Sequence, residues 1–347
     1  MITSENGQGT EMGAVLKGDI PSAQKVLEVK NLVVEFRRSD GLIRANKDVS
    51  LSVERGKTLG IVGESGSGKS VFCRSIIRLI PSPPGQIVGG QILFEGRDLL
   101  KIPVAEMKSI RGTEISMIFQ DPMTSLNPVW QIGDQITESL RVHKMLKGNQ
   151  ARDTAIELLG RVGIPSPEKR IKEYPHSLSG GMRQRAMIAM AMACKPKLLL
   201  ADEPTTALDV TIQDQILSLM VELQEQVGMS IILVSHNLGV VAETSDWLAV
   251  MYAGQVMEYG TTEALFNHPL HPYTAGLLES IPKVEGRSER LTQIEGQPPN
   301  LLTLPPGCPF AERCRVATPD CFDIEIHLVE IELGHSSACL YPERTGR

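Results

Sequence analysis

GESGSGKS, residues 63–70, is the stretch on which the fold turns. It fits the spacing GxxxxGK[ST], directly after the apolar run LGIV and directly before SVFCRSIIRLI, whose apolar residues recur at helical spacing. Gly63, Gly66 and Gly68 let the backbone wrap closely around a polyphosphate, with Glu64, Ser65 and Ser67 filling the loop between them. A helix beginning near Lys69 turns unpaired amides and its positive dipole end toward that anion. Lys69 adds a point charge, and Ser70 a hydroxyl for Mg²⁺. An incidental Gly/Ser turn would explain the glycines but not the strand before them and the helix after.

Working outward, the chain supplies the rest of a parallel sheet covered by helices. KLLLADEP, TIQDQILSLMVELQEQVGM and SIILVSH read as strand, helix and strand. KVLEVKNLVVEF and VSLSV read as strands of an antiparallel layer, and QILFEG and EISMIFQ as further strands. From about 121 to 185 the periodicity becomes helical, as in WQIGDQITESLRVH and ARDTAIELLGRVGI. WLAVMYAGQVMEYG reads as a hairpin turning at Ala253 and Gly254. The fold class is α/β: a P-loop NTPase with an antiparallel β layer, a helical subdomain and a small Cys-containing C-terminal extension. The expected division is a disordered lead-in over 1–25, the ATPase domain over 26–282 with its helical subdomain at about 121–185, and the extension over 283–347.

Composition bounds the function. With 347 residues, 41% of them hydrophobic, and a formal charge of −6, the chain can bury a sizeable core, and its charge disfavours broad nucleic-acid contact. No run approaches the roughly 18 apolar residues of a membrane span. The N-terminal MITSENGQGTEMGAVLKGDIPSAQ lacks a signal peptide's basic start and apolar run. A cytosolic location with reduced cysteines is the expectation.

Two more elements narrow the class. In LLLADEP, Asp202 and Glu203 stand at a strand's carboxyl end, where Asp202 would hold Mg²⁺ through water and Glu203 would polarise the attacking water. In LSGGM, Ser179, Gly180 and Gly181 stand at a helix start with free amides. One phosphate chain needs a single cradle per subunit, so the second suggests the γ-phosphate of another subunit's nucleotide. An ordinary N-cap would be the reading if LSGGM stood alone.

GESGSGKS, LSGGM, LLLADEP, the following TTALD, and VSH, in that order, resemble the nucleotide-binding subunit of an ABC transporter over about 26–282. The resemblance implies that Gln120 touches Mg²⁺ and the attacking water, that Asp209 organises a dimer contact, and that His236 grips the γ-phosphate and positions Glu203. It implies that Phe36 stacks on adenine, although the family usually has Tyr there and the following RRSDGLIRANKD reads as a long loop. It also implies a head-to-tail pair of such subunits, ATP and Mg²⁺ as cofactors, and a membrane partner docking on side chains between about 121 and 143. Related ATPase heads in DNA repair carry hundreds of residues between P-loop and signature; here about 110 positions separate Lys69 from Ser179.

The tail adds substrate class. LFNHPLHPYTAGLLESIP and IEGQPPNLLTLPPGCPFAERC resemble the C-terminal extension of bacterial oligopeptide and dipeptide importers, some relatives of which carry nickel or glutathione. The implied assembly is a second ATPase subunit, two membrane permeases and an extracytoplasmic solute-binding protein, with this chain peripheral on the cytoplasmic face of the membrane. No nucleic acid is expected, and a nucleic-acid-associated ABC ATPase is the alternative of another class. Cys308, Cys314, Cys321 and Cys339 have five, six and seventeen residues between neighbours and no CxxC pair, unlike common zinc ribbons. Four thiolates would satisfy a [4Fe-4S] cluster stapling a core-poor segment, with zinc or reduced thiols as the alternatives. His335 is expected at the surface, Cys73 and Cys194 in the core, and the methionines of AMIAMAMAC in packing.

Overall fold

The computed structural model describes residues 25–121, 125–144, 146–206, 208–281 and 294–345. The expected lead-in, apart from Lys25, and the boundary near Pro282 lie outside them. Strand β3 (Thr58–Val62), buried along its whole length, sits inside an eight-stranded sheet. It runs parallel to β8 (Ser230–Ser235) on one side and to β9 (Trp247–Tyr252) on the other. Beyond β8, β7 (Leu198–Asp202) and β6 (Ile115–Ile118) continue the parallel series. TLGIV, LLLAD and SIILVS are uninterrupted buried runs because strands of a parallel sheet are covered on both faces.

β10 (Gln255–Thr261) returns antiparallel to β9 through Ala253 and Gly254, at φ 46° and 81°. Two positive φ values are what a two-residue hairpin turn demands. β1 (Lys25–Arg38), β2 (Gly41–Glu54), β4 (Gly85–Phe94) and β5 (Arg97–Asp98) form a separate antiparallel sheet. The long loop expected after Phe36 is mostly strand: Phe36 faces Ile43 and Arg37 faces Leu42, and only Ser39 and Asp40 turn. Cross-strand pairing, with Arg44 bonded to Glu35 at 2.9 Å, overrides the polar composition that suggested a loop.

Helix α1 (Lys69–Ile76) follows β3, and α2 (Val104–Ile110) precedes β6. The helical insert comprises α3 (Ile132–His143), α4 (Gly148–Arg161), the short α5 (Pro167–Arg170) and α6 (Gly180–Met192). Ile136, Leu140, Ala155, Leu159, Met187 and Met192 share one buried core, so the methionines pack as expected. Asp209 caps α7 (Val210–Val227), which ends at Gly228 in the left-handed conformation. α8 (Leu238–Thr244), α9 (Thr262–Asn267) and α10 (Pro272–Glu279) complete the cassette. Cys73 and Cys194 are buried. Among the described residues no helix is long and apolar enough to cross a membrane.

The extension differs from its reading as core-poor. Its strands β11 (Val329–Glu332) and β12 (His335–Ser337) add to the main sheet, Ser337 and Ser336 facing Glu258 and Tyr259 of β10. Cys308, Phe310, Ala311, Ile326 and Ala338 share a buried core with Tyr252 and Tyr273. The apolar surface it buries belongs to the cassette, which a local count of apolar residues cannot register. His335, expected at the surface, is buried with its Nε2 2.8 Å from Glu258 Oε1. That fully buried carboxylate also accepts the backbone N–H groups of Leu270 and His271. Burial of a carboxylate requires such partners, and the new sheet edge brings His335 to it.

His271 caps α10 by accepting the Tyr273 N–H on Nδ1, and burial drives its pKa from 6.5 down to about 3. A folded value below the unfolded one gives stability that is complete above pH 6.5 and lost as pH falls toward 3. Wild type is expected to lose about 1.4 kcal/mol per pH unit from this group once the pH is below ~6. His271→Asn, which keeps a capping acceptor but does not titrate, should flatten that part of the profile, as thermal midpoints between pH 7 and 5 would show.

Candidate nucleotide site

The phosphate loop leaves β3 through Gly63 and enters α1 through Gly68. A Cβ on Gly63 would stand 2.1 Å from the Met251 carbonyl oxygen, and one on Gly68 2.3 Å from that of Ala45. Both residues also have positive φ, so glycine is required twice over. The hairpin turn braces the loop from outside, Gly254 N–H donating to Ser67 O at 3.1 Å. Asn46 donates its side-chain amide to Gly68 O at 3.2 Å. Gly66 has open space around it, and Ser65 is exposed at the loop's tip.

Lys69 is buried and donates Nζ to Gly63 O at 2.7 Å, Glu64 O at 2.9 Å and Ser67 Oγ at 3.2 Å. Burial holds its pKa below the ordinary lysine value, against the pull of Glu203, Asp202 and Glu64. One residue on, Ser70 donates Oγ to Asp202 Oδ1 at 2.8 Å. Asp202 is fully buried, which raises its pKa, and its Oδ2 is buried without a partner among the described residues. A hydroxyl beside an orphaned buried carboxylate oxygen is a donor set that a hard divalent cation completes, so Ser70 and Asp202 fit Mg²⁺.

Glu203 has φ 48°, an unusual value for a residue with a side chain. Its Oε2 accepts Gln120 Nε2 at 3.1 Å and Thr206 Oγ1 at 2.8 Å, and lies 3.3 Å from His236 Nδ1. The structure thus gathers Lys69, Ser70, Gln120, Asp202, Glu203 and His236 at the carboxyl ends of β3, β6, β7 and β8. Ser179, Gly180 and Gly181 do not join them. Ser179 caps α6, accepting the Met182 N–H at 3.3 Å, and the two glycines face Leu208 and Ile212. Asp209, just beside them, accepts the Ile212 N–H at 3.0 Å. Phe36 packs on the core, its ring edge near Gly85.

Residues 46–206 match the family model described as ABC transporter, and residues 257–321 match that of the oligopeptide/dipeptide transporter C-terminal region. The chain is 52% identical to the oligopeptide transport ATP-binding protein OppD of Bacillus subtilis, covering 92% of this chain and 90% of that one. It is 52% identical to the dipeptide transport ATP-binding protein DppD of the same organism, over 84% of this chain and 87% of the relative. This chain belongs to the oligopeptide/dipeptide family of ABC transporter ATP-binding proteins. Among solved structures, a bacterial ABC transporter cassette determined as a dimer superposes with a TM-score of 0.61 at 27% identity, over 68% of this chain and 98% of that one.

Within this ABC cassette, sequence reading missed Thr206, Asn46, Tyr273 and Arg313. Thr206 was visible in TTALD but had no assigned partner. Tyr273 accepts the Glu64 N–H on its hydroxyl at 3.0 Å, and Arg313 clasps the Glu64 carboxylate with both terminal nitrogens at 2.7 and 3.0 Å. Neither carries a local signal, since each lies more than two hundred positions from the loop.

The extension's four cysteines are free thiols in one neighbourhood. Burial pushes Cys308 up to about 12, with Cys339, Cys314 and Cys321 adding to the rise. Yet among the described residues no group of three or more His, Cys, Asp or Glu is placed to hold a metal ion. The expected [4Fe-4S] or zinc ligation is therefore not formed as a ligand set here.

Replacing Glu203 by Gln keeps its hydrogen-bonding shape and removes its basicity. ATP turnover should fall about a hundredfold or more with nucleotide binding retained, checked by phosphate release alongside ATP binding.

Proposed function

We propose that this chain hydrolyses ATP with Glu203 as general base and passes the resulting motion to the permeases of a peptide importer. The observation that carries the reading is Glu203 itself, turned by its positive φ and held by Gln120, Thr206 and His236 one residue beyond the Ser70–Asp202 pair. Gly63–Gly68 amides and Lys69 would receive the polyphosphate, whose oxygens replace the loop carbonyls that Lys69 now contacts. Glu203 would take the proton of a water aligned by His236 and Gln120. Mg²⁺ held by Ser70 and Asp202, with Gln120 nearby, supplies charge neutralisation when bound.

Ser179, Gly180 and Gly181 stand apart from this chain's own loop, which supports their use on the ATP of a second ATPase subunit packed head to tail. Exposed Val210 beside Asp209 marks the same face. Phe36 is the aromatic proposed to meet adenine. The permease contact is proposed at α3, where exposed Val129, Trp130, Val142 and Tyr174 line a groove of about 560 Å³ with Asp134, Glu138 and Arg141. An extracytoplasmic binding protein would deliver an oligopeptide or dipeptide, and the cassette would sit on the cytoplasmic face of the membrane. The family extension over 257–321 and the relatives named for oligopeptide and dipeptide transport support that substrate class.

The finer reading of the extension, a [4Fe-4S] cluster on Cys308, Cys314, Cys321 and Cys339, rests on narrower ground. The mutual proximity of the thiols supports it, as does an N–H from Tyr341 to Cys339 Sγ at 3.4 Å. Ligation would require these thiols to draw together. Anaerobic purification followed by metal analysis decides it: about four irons per chain supports the cluster, and a metal-free, fully folded chain removes it.

Reconstituted with its permeases in vesicles, the chain should turn over ATP faster when peptide and binding protein are supplied, and lack of any peptide dependence would count against the substrate class. Val129→Asp, which replaces an exposed apolar side chain of the groove by a charge, should reduce co-purification of the permeases about tenfold or more; undiminished recovery would move the docking surface elsewhere.

A further inference from the structure

The phosphate loop carries one acidic side chain, Glu64, immediately after Gly63. A free carboxylate there would oppose the polyphosphate that the loop is built to receive. Its charge is matched by a residue from the far end of the chain. Arg313, only 7% exposed in its side chain, meets Glu64 with a fork of two bonds, Nη1 to Oε2 at 2.7 Å and Nη2 to Oε1 at 3.0 Å. The rest of the guanidinium is fully engaged: Nη1 donates to Tyr252 Oη at 3.0 Å and Nε to Glu295 O at 2.9 Å. Arg313 therefore arrives with its geometry fixed on one side by β9 and on the other by the extension's own backbone.

The same loop residue is held through its main chain. Glu64 N–H donates to Tyr273 Oη, and Glu64 O accepts from Lys69 Nζ at 2.9 Å. A shift of Glu64 would thus be felt at Lys69, the loop's cation. The extension closes over this spot: Pro298, Pro299 and Leu301 line a small cavity with Ser65, Ser67 and Glu64, and Leu302 touches the β1–β2 turn at Gly41.

We infer that Arg313 is a positioning residue of the nucleotide site, neutralising Glu64 and fixing the phosphate loop, so that the C-terminal extension is required for tight MgATP binding. This rests on the reading of residues 63–70 as the nucleotide site, and Lys69→Ala tests that reading separately.

Binding of a fluorescent N-methylanthraniloyl ATP with Mg²⁺ to the full-length chain provides the readout. Arg313→Ala should weaken binding about tenfold, because it leaves Glu64 charged beside the phosphates. Arg313→Lys, which keeps the charge but loses the fork, should fall between wild type and Arg313→Ala. Adding Glu64→Gln to Arg313→Ala should tighten binding at least about threefold, since the uncompensated charge is gone. A purely structural staple predicts no such rescue, because the double variant lacks the bridge as well. Wild-type affinity in Arg313→Ala, or a double variant no tighter than it, overturns the inference. If Arg313→Ala does not fold, the longer neutral Arg313→Met takes its place: the same rescue must appear between Arg313→Met and Arg313→Met/Glu64→Gln, and its absence is equally decisive. If Lys69→Ala binds as wild type, the assignment of the nucleotide site itself has failed, whatever Arg313 does.

Discussion

Backbone meeting backbone around the phosphate loop is the contact on which the rest of this molecule depends. The loop passes so close to the carbonyls of Met251 and Ala45 that no side chain fits at Gly63 or Gly68. Met251 belongs to β9 and Ala45 to β2, so the two glycines tie the main sheet and the antiparallel layer to one point. The β9–β10 turn then has to be short and left-handed, because Gly254 both donates to Ser67 O and accepts from Lys47 N–H. Loop, hairpin and layer position one another, and an error in any of them would open the anion cradle.

Across the sheet the site separates two neighbouring carboxylates by environment. Asp202 ends a fully buried strand, where Ser70 bonds one of its oxygens and the other has no partner among the described residues. Glu203 leaves the strand in the left-handed conformation and reaches three polar partners, Thr206 in its own turn and Gln120 and His236 from two other segments. Burial raises the pKa of the first, so its charged form needs a partner beyond Ser70, while the second keeps part of its side chain exposed.

The extension is built on the cassette rather than beside it. Phe310 packs edge-on against Tyr252 and tilted against Tyr273, and these two tyrosines also reach Glu64 or its arginine partner. The aromatic cluster that anchors the extension is therefore the one that steadies the phosphate loop. His335 on Glu258 fastens the other edge through a buried pair. A segment rich in proline and glycine holds its shape here because it covers apolar surface that the cassette would otherwise expose.

The sequence by itself determined the cassette: the glycine spacing of the loop, the apolar runs of β3, β7 and β8, the Asp202–Glu203 strand end and the Ala253–Gly254 turn are each set by chemistry within a few residues. Local patterns carry that information because strand burial, turn handedness and helix starts are decided by near neighbours. Only the tertiary structure decided that Arg313 and Tyr273 meet Glu64, that His335 is buried, and that the four cysteines lie near one another. Those outcomes depend on where β12 joins the sheet and on which surface the extension covers. Such long-range pairings leave no periodicity in the chain, since the partners lie far apart along it and are selected by burial and charge once the sheet has closed.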